Sequence, residues 1–161
     1  MKDIFIDNNI AKNFANPMDK EYKILIQWLM KYDEDEDPEK VDCAFLVLSN
    51  KLLHDEYMKS SYECTELTGI QAIVNLLTEQ GRINFFSNQQ IKEFQKKHFT
   101  KTLETELNLK RLGKDRNHIP IVLLSNRKYA IAIDKGFRYA LLNFPRFKAT
   151  VVSRPEELDY K

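Results

Sequence analysis

The chain has 161 residues, of which 43% are apolar and 30% charged, with a formal net charge of +1. This length fits one domain with a real core, and the composition is that of an ordinary globular protein. No apolar run approaches the roughly 20 residues a membrane helix requires, and an acid stands at position 7, where an export signal would run apolar, so the expectation is a cytoplasmic protein without membrane contact.

Asp3 to Ile6 reads as a short buried strand, with Asp7-Asn8-Asn9 at its end. Asn8 or Asn9 is placed to cap a short helix through about Asn13. From Asp19, the residues Tyr22, Leu25, Ile26, Leu29 and Met30 recur at helical spacing, which predicts an amphipathic helix to about Tyr32. The acidic run Asp33 to Glu39, with Pro38 inside it, reads as a solvated loop. Cys43 to Leu48 is a continuous apolar run, the pattern of a strand covered on both faces. Ser49 or Asn50 then caps a helix that carries Leu52, Leu53, Glu56 and Tyr57.

A longer helix is predicted from about Glu66 to Gln80, with Gly81 where a terminating glycine belongs. Ser87 starts another, and the stretch to Lys110 reads as helical and polar on one side. Lys110 to Arg116 is a basic loop containing Asp115. Ile119 to Leu124 reads as a helix with Pro120 in its first turn. Tyr129 to Ile133 is a strand ending at Asp134, Gly136 to Leu142 a short helix, and Ala149 to Val152 a last strand. Four or so short apolar strands alternating with helices imply a single three-layer α/β/α domain over residues 1–161 with a mainly parallel central sheet. Cys43 and Cys64 lack metal-site spacing and read as reduced thiols.

Two acids occupy the same slot, Asp7 after the first strand and Asp134 after a later one. In open parallel sheets the ligand crevice lies beyond the carboxyl ends of the strands, so acids far apart in sequence meet there. Asp115 precedes the helix leading into the strand before Asp134. Glu56 lies on the helix after the central strand, with its neighbour Asp55 as the alternative for the inward position. Clustered carboxylates repel and resist ionising. A hard cation such as Mg²⁺ or Mn²⁺ removes that cost and prefers oxygen ligands. Singly, each acid is more readily explained as a helix cap or a loop residue, and only the joint arrangement points to a site.

Ile4-Phe5-Ile6-Asp7-Asn8-Asn9-Ile10 resembles the opening of PIN-domain nucleases, a hydrophobic strand running into Asp. Ser49 through Tyr57 resembles that family's Ser followed by a helix with the second acid. Asp115-Arg116-Asn117-His118-Ile119 resembles the third acidic motif, and Tyr129 through Lys135 the strand that delivers the fourth acid. Asn143 through Leu158 resembles the closing strand and its Pro-Glu-Glu-hydrophobic end. The ordered set spans nearly the whole chain. The resemblance implies a metal-dependent nuclease acting on RNA with Mg²⁺ or Mn²⁺, with Asp7, Glu56, Asp115 and Asp134 as the catalytic and metal-holding acids and Asn9 supporting the first of them. It also implies partners: many bacterial members are toxins restrained by an antitoxin, and many form homodimers. Asn8 stands where the family usually has Thr or Ser, and Ile133 directly before the last acid, where a hydroxyl is frequent. These departures define an alternative, a PIN-like domain with weakened chemistry that binds nucleic acid or a protein partner.

Further candidates surround the acids. His118 follows Asp115 by three residues and either touches the site, as a phosphate contact or a support for the acids, or starts a helix facing solvent. Ser49, Lys114 and Arg116 are the other supporting or substrate-contacting candidates. Lys92, Lys96, Lys97, Lys101, Lys110, Arg111, Lys114 and Arg116 form a basic stretch interleaved with Phe94 and Phe99. It suits the phosphates of RNA or single-stranded nucleic acid as well as it suits a solvated helix face. His54, His98 and His118 share no metal spacing, and four glycines form no phosphate loop.

Overall fold

Two apolar runs, Ile4-Phe5-Ile6 and Ala44 to Leu48, are too short for buried helices and become the inner strands of the sheet. In a computed structural model, which describes residues 2–15, 18–32, 43–49, 52–61 and 69–160, both runs are buried throughout. The elements are β1 (Lys2–Ile6), α1 (Asn8–Ala11), α2 (Lys20–Met30), β2 (Ala44–Ser49), α3 (Leu52–Ser61), α4 (Ile70–Glu79), β3 (Ile83–Phe86), α5 (Asn88–His98), α6 (Lys101–Glu106), α7 (Ile119–Leu124), β4 (Tyr129–Ile131), α8 (Lys135–Leu142) and β5 (Thr150–Val152). The acidic run, Cys64, Asn50 and the first residues expected in α4 lie outside the described residues.

The sheet has five strands, all parallel, in the order β3-β2-β1-β4-β5. Ile4 lies opposite Leu46, Phe5 opposite Ala130 and Leu46 opposite Ile83. Parallel neighbours need crossovers, and these are right-handed as a rule. The chain steps from β1 outward through β2 to β3, then crosses back to β4 on the other side of β1. Helices α1 to α4 therefore cover one face and α5 to α8 the other, giving three layers. The crossing back makes the β1–β4 junction the point where strand order reverses, and the crevice of an open sheet lies there. Among the described residues no helix is long and apolar enough to cross a membrane.

Several expectations change. β3 was not anticipated: Ile83-Asn84-Phe85-Phe86 is half exposed and lacks an alternating pattern, and its strand conformation is set by pairing with β2. The helical stretch from Ser87 to Lys110 breaks at Phe99, whose ring packs on Phe94 and Phe144, and Thr100 caps a new helix by accepting from the Leu103 N–H. The α1 cap is Asp7 rather than Asn8 or Asn9, through its carbonyl, which accepts from Ile10 and Ala11. β4 ends at Ile131, so Asp134 stands beyond the strand, at the start of α8.

Two buried polar groups hold the frame. Asp3 is fully buried and accepts from the Asn84 side chain (2.6 Å) and from the backbone N–H groups of Asn126 and Arg127 (2.8 Å each). Arg82, also fully buried, donates to the carbonyls of Ala44 (2.9 Å) and Leu29 (2.7 Å).

Candidate metal centre

Asp7 enters the crevice because β1 is pinned at its end: the Asp7 N–H donates to the Ile131 carbonyl on β4 at 2.9 Å. The Asp7 side chain is buried, with 6% exposure, and its Oδ2 has no hydrogen-bond partner. Burial and the nearby Asp115 charge raise its pKa, and His118 opposes them. The backbone and side-chain amides of Asn9 also face the carboxylate and favour its ionised form without closing a capping bond. The side chain expected to support Asp7 is thus beside it.

Asp115 opens a 3₁₀ turn over Asp115–Asn117, and His118 follows as the cap of α7. A 3₁₀ turn has three residues, so side chains at i and i+3 eclipse. Asp115 and His118 therefore share one face, and the His118 N–H closes the turn on the Asp115 carbonyl at 2.9 Å. The residues between them are anchored outward. Arg116 pairs with Glu104 and stacks over Phe99, and Asn117 accepts from Gln95. Burial, with Glu56 and Asp134, raises the Asp115 pKa, and His118 lowers it.

Glu56, not Asp55, is the inward acid of α3, where Asp55 is exposed. Its carboxylate lies 3.2 Å from His118 Nε2. The phase of α3 is set by Tyr57, fully buried, whose hydroxyl donates to the Ile6 carbonyl at the end of β1. Ser49 is buried and accepts from the Leu53 N–H at 3.4 Å, so it caps α3 and faces no solvent.

Glu56, Asp115 and His118 each offer one donor atom within 4.8 Å of the others, a spacing that suits one cation. Asp7 lies within electrostatic reach of Asp115 and His118, and Asp134 within reach of Asp115, outside the trio itself. Asp134 is exposed, and its Oδ1 accepts from the Phe137 N–H at 2.7 Å, capping α8. Glycine at position 136 leaves that carboxylate room, since a Cβ there would lie 3.3 Å from it.

His118 corrects the solvent-facing reading. Its side chain is 1% exposed, its ring packs on Phe5, and Nδ1 has no partner. Lys114 is exposed beside Asp115, while Arg116 is committed to Glu104. Tyr57 went unrecognised as the residue that positions Glu56. Its sequence signal was its place next to the acid on a helix with a buried face.

The sequence matches no protein-family model, and no curated protein and no solved structure is significantly similar to it.

Proposed function

We propose that the chain is a metal-dependent ribonuclease of the PIN type, hydrolysing phosphodiester bonds at the Asp7–Glu56–Asp115–His118 crevice. The observation that carries this reading is the buried, unpaired Asp7 Oδ2 beside Asp115, two carboxyl groups whose ionised forms the fold disfavours. A divalent cation is the partner that such an arrangement lacks. Glu56, Asp115 and His118 would hold it, with Asp7 alongside and Asp134 at the rim. Bound there, it would polarise a phosphate oxygen and acidify the attacking water.

An imidazole among the donors suits Mn²⁺ better than Mg²⁺, which prefers oxygen throughout. Asn9 orients Asp7, Tyr57 and Ser49 fix α3, and exposed Lys114 is a cation available to a substrate phosphate. Candidate partners are RNA, an antitoxin-like protein encoded beside this chain, and a second copy of it.

The test is cleavage of RNA and single-stranded DNA with Mn²⁺ and with Mg²⁺. Asp7→Asn and Asp115→Asn are expected to abolish it while the fold remains intact. Full activity in both purified variants would sink the assignment. A second reading, binding without cleavage, draws on Asn8. In place of the hydroxyl usual in that family, its side chain accepts from Ser60 on α3 at 2.8 Å. Failure of calorimetry to detect Mn²⁺ binding would favour that reading.

A further inference from the structure

We propose that the pocket between the end of α5 and the turn after α8 binds a phosphate of single-stranded nucleic acid, as a docking point apart from the carboxylate crevice. The proposal rests on the reading of the chain as a nucleic-acid enzyme.

The pocket encloses about 430 Å³. Lys97, His98 and Arg146 line it together with Thr100, Thr102, Phe144 and Pro145. Glu106 is the single acid in the lining, and among the described residues none of the three basic groups forms an ion pair. Lys97 and Arg146 bring two positive charges to a lining with one carboxylate, and an anion seated between them offsets their mutual repulsion.

The local structure holds the His98 ring in place. The His98 ring sits 4.5 Å from that of Phe94 and 5.3 Å from that of Phe147. Its protonated form is disfavoured by burial first, then by Lys97 and Arg146, which places both cations within electrostatic reach of the ring. Arg146 has a left-handed backbone, φ 68°. A side chain other than glycine or asparagine is uncommon there, so the turn presents an arginine at a conformational cost that glycine would avoid.

The chemistry favours phosphate over a carboxylate-bearing peptide. Lysine and arginine donors and threonine hydroxyls, with an apolar wall beside them, match a tetrahedral phosphate and its attached sugar. A chain of packed side chains links the pocket wall to the turn that carries Asp115. Phe99 contacts Phe144 of the pocket wall at 5.9 Å between ring centroids, and the Arg116 guanidinium stacks over Phe99 at 5.4 Å, next in sequence to Asp115.

The experiment is anisotropy of a fluorescein-labelled oligouridylate on the full chain in EDTA, so that binding is read without metal or cleavage. Lys97→Ala and Arg146→Gly are each expected to weaken binding about 5- to 10-fold and to lower the salt slope by about one. Arg146→Gly suits the backbone at that turn, and its melting temperature should hold, so lost binding is not lost folding. Inorganic phosphate should shift the His98 ring resonances and raise its pKa. Unchanged affinity in both variants overturns the proposal. So does equal displacement of the oligonucleotide by polyglutamate at matched charge. Mn²⁺ calorimetry on the same variants separates the two readings. Intact Mn²⁺ binding with unchanged oligouridylate affinity rejects the pocket alone, and absent Mn²⁺ binding with affinity lost as expected rejects the metal centre alone.

Discussion

His118 Nε2 lies 3.2 Å from Glu56 Oε2, joining the start of α7 on one face of the sheet to α3 on the other. The pair closes the crevice over the end of β1, and with Asp115 it supplies three donors around one point. The imidazole is nearly inaccessible and Glu56 partly open, at 1% and 24% side-chain exposure, so the crevice admits a ligand from the Glu56 side.

If His118 is a ligand, His118→Ala removes a nitrogen donor and should weaken Mn²⁺ binding by at least about 10-fold, or 1.4 kcal/mol. Mg²⁺ affinity should fall less, because Mg²⁺ gains little from an imidazole. Calorimetric titration of the variant with each ion checks this. Equal losses for the two ions would place His118 outside the coordinating set.

The raised pKa of Asp7 makes metal-free stability depend on pH in a defined direction. Its carboxyl binds a proton more readily in the folded chain than at its ordinary value of 3.8. The destabilisation from the charged form is present above the folded pKa. It is relieved as pH falls through that value, and the relief is complete below 3.8. Asp7→Asn removes this term and should raise metal-free stability at pH 7. Urea unfolding of both proteins across pH 4 to 8 measures it. The variant's advantage should shrink towards the acid end, and added Mn²⁺ should reverse the order at neutral pH.

Much of the frame was legible because its signals are local. Ile4-Phe5-Ile6 and Ala44 to Leu48 announce buried strands by composition, and Gly81 (φ 67°) and Ser87 mark helix ends by their own chemistry. β3 was not legible, because Ile83-Asn84-Phe85-Phe86 takes its conformation from β2 across the sheet. Within the site, the i, i+3 relation of Asp115 and His118 was visible as spacing. Its geometric meaning was hidden, because a 3₁₀ turn there depends on Arg116 and Asn117 anchoring to Glu104 and Gln95. Glu56 over Asp55 was undecidable in sequence, since the choice depends on Tyr57 reaching the Ile6 carbonyl.

That tyrosine provides a further prediction. Tyr57→Phe keeps the ring and deletes the hydroxyl, leaving the Ile6 carbonyl without its side-chain donor. The cost should be about 1 to 2 kcal/mol, seen as a lower melting temperature. The loosened phase of α3 should also weaken Mn²⁺ binding, because Glu56 is the adjacent residue. A stability loss with Mn²⁺ affinity unchanged would show that Tyr57 serves the core alone.

Arg82 should separate stability from the site altogether. Its fully buried guanidinium joins the C-terminal end of α2, through Leu29, to the start of β2, through Ala44, and it also donates to the Gln80 side chain at 2.8 Å. Carbonyls at a helix end carry partial negative charge, so the cation is well matched there. Arg82→Ala strands these acceptors in the interior and opens a large void, with an expected cost of about 3 to 5 kcal/mol. Arg82→Lys should recover little, because one ammonium does not reach acceptors that a planar fork spans. Chemical denaturation gives the stability, and Mn²⁺ calorimetry on the folded fraction should give wild-type affinity, since none of the crevice residues touches Arg82. A lysine variant as stable as the parent would show that charge alone, without the fork's geometry, holds α2 to the sheet.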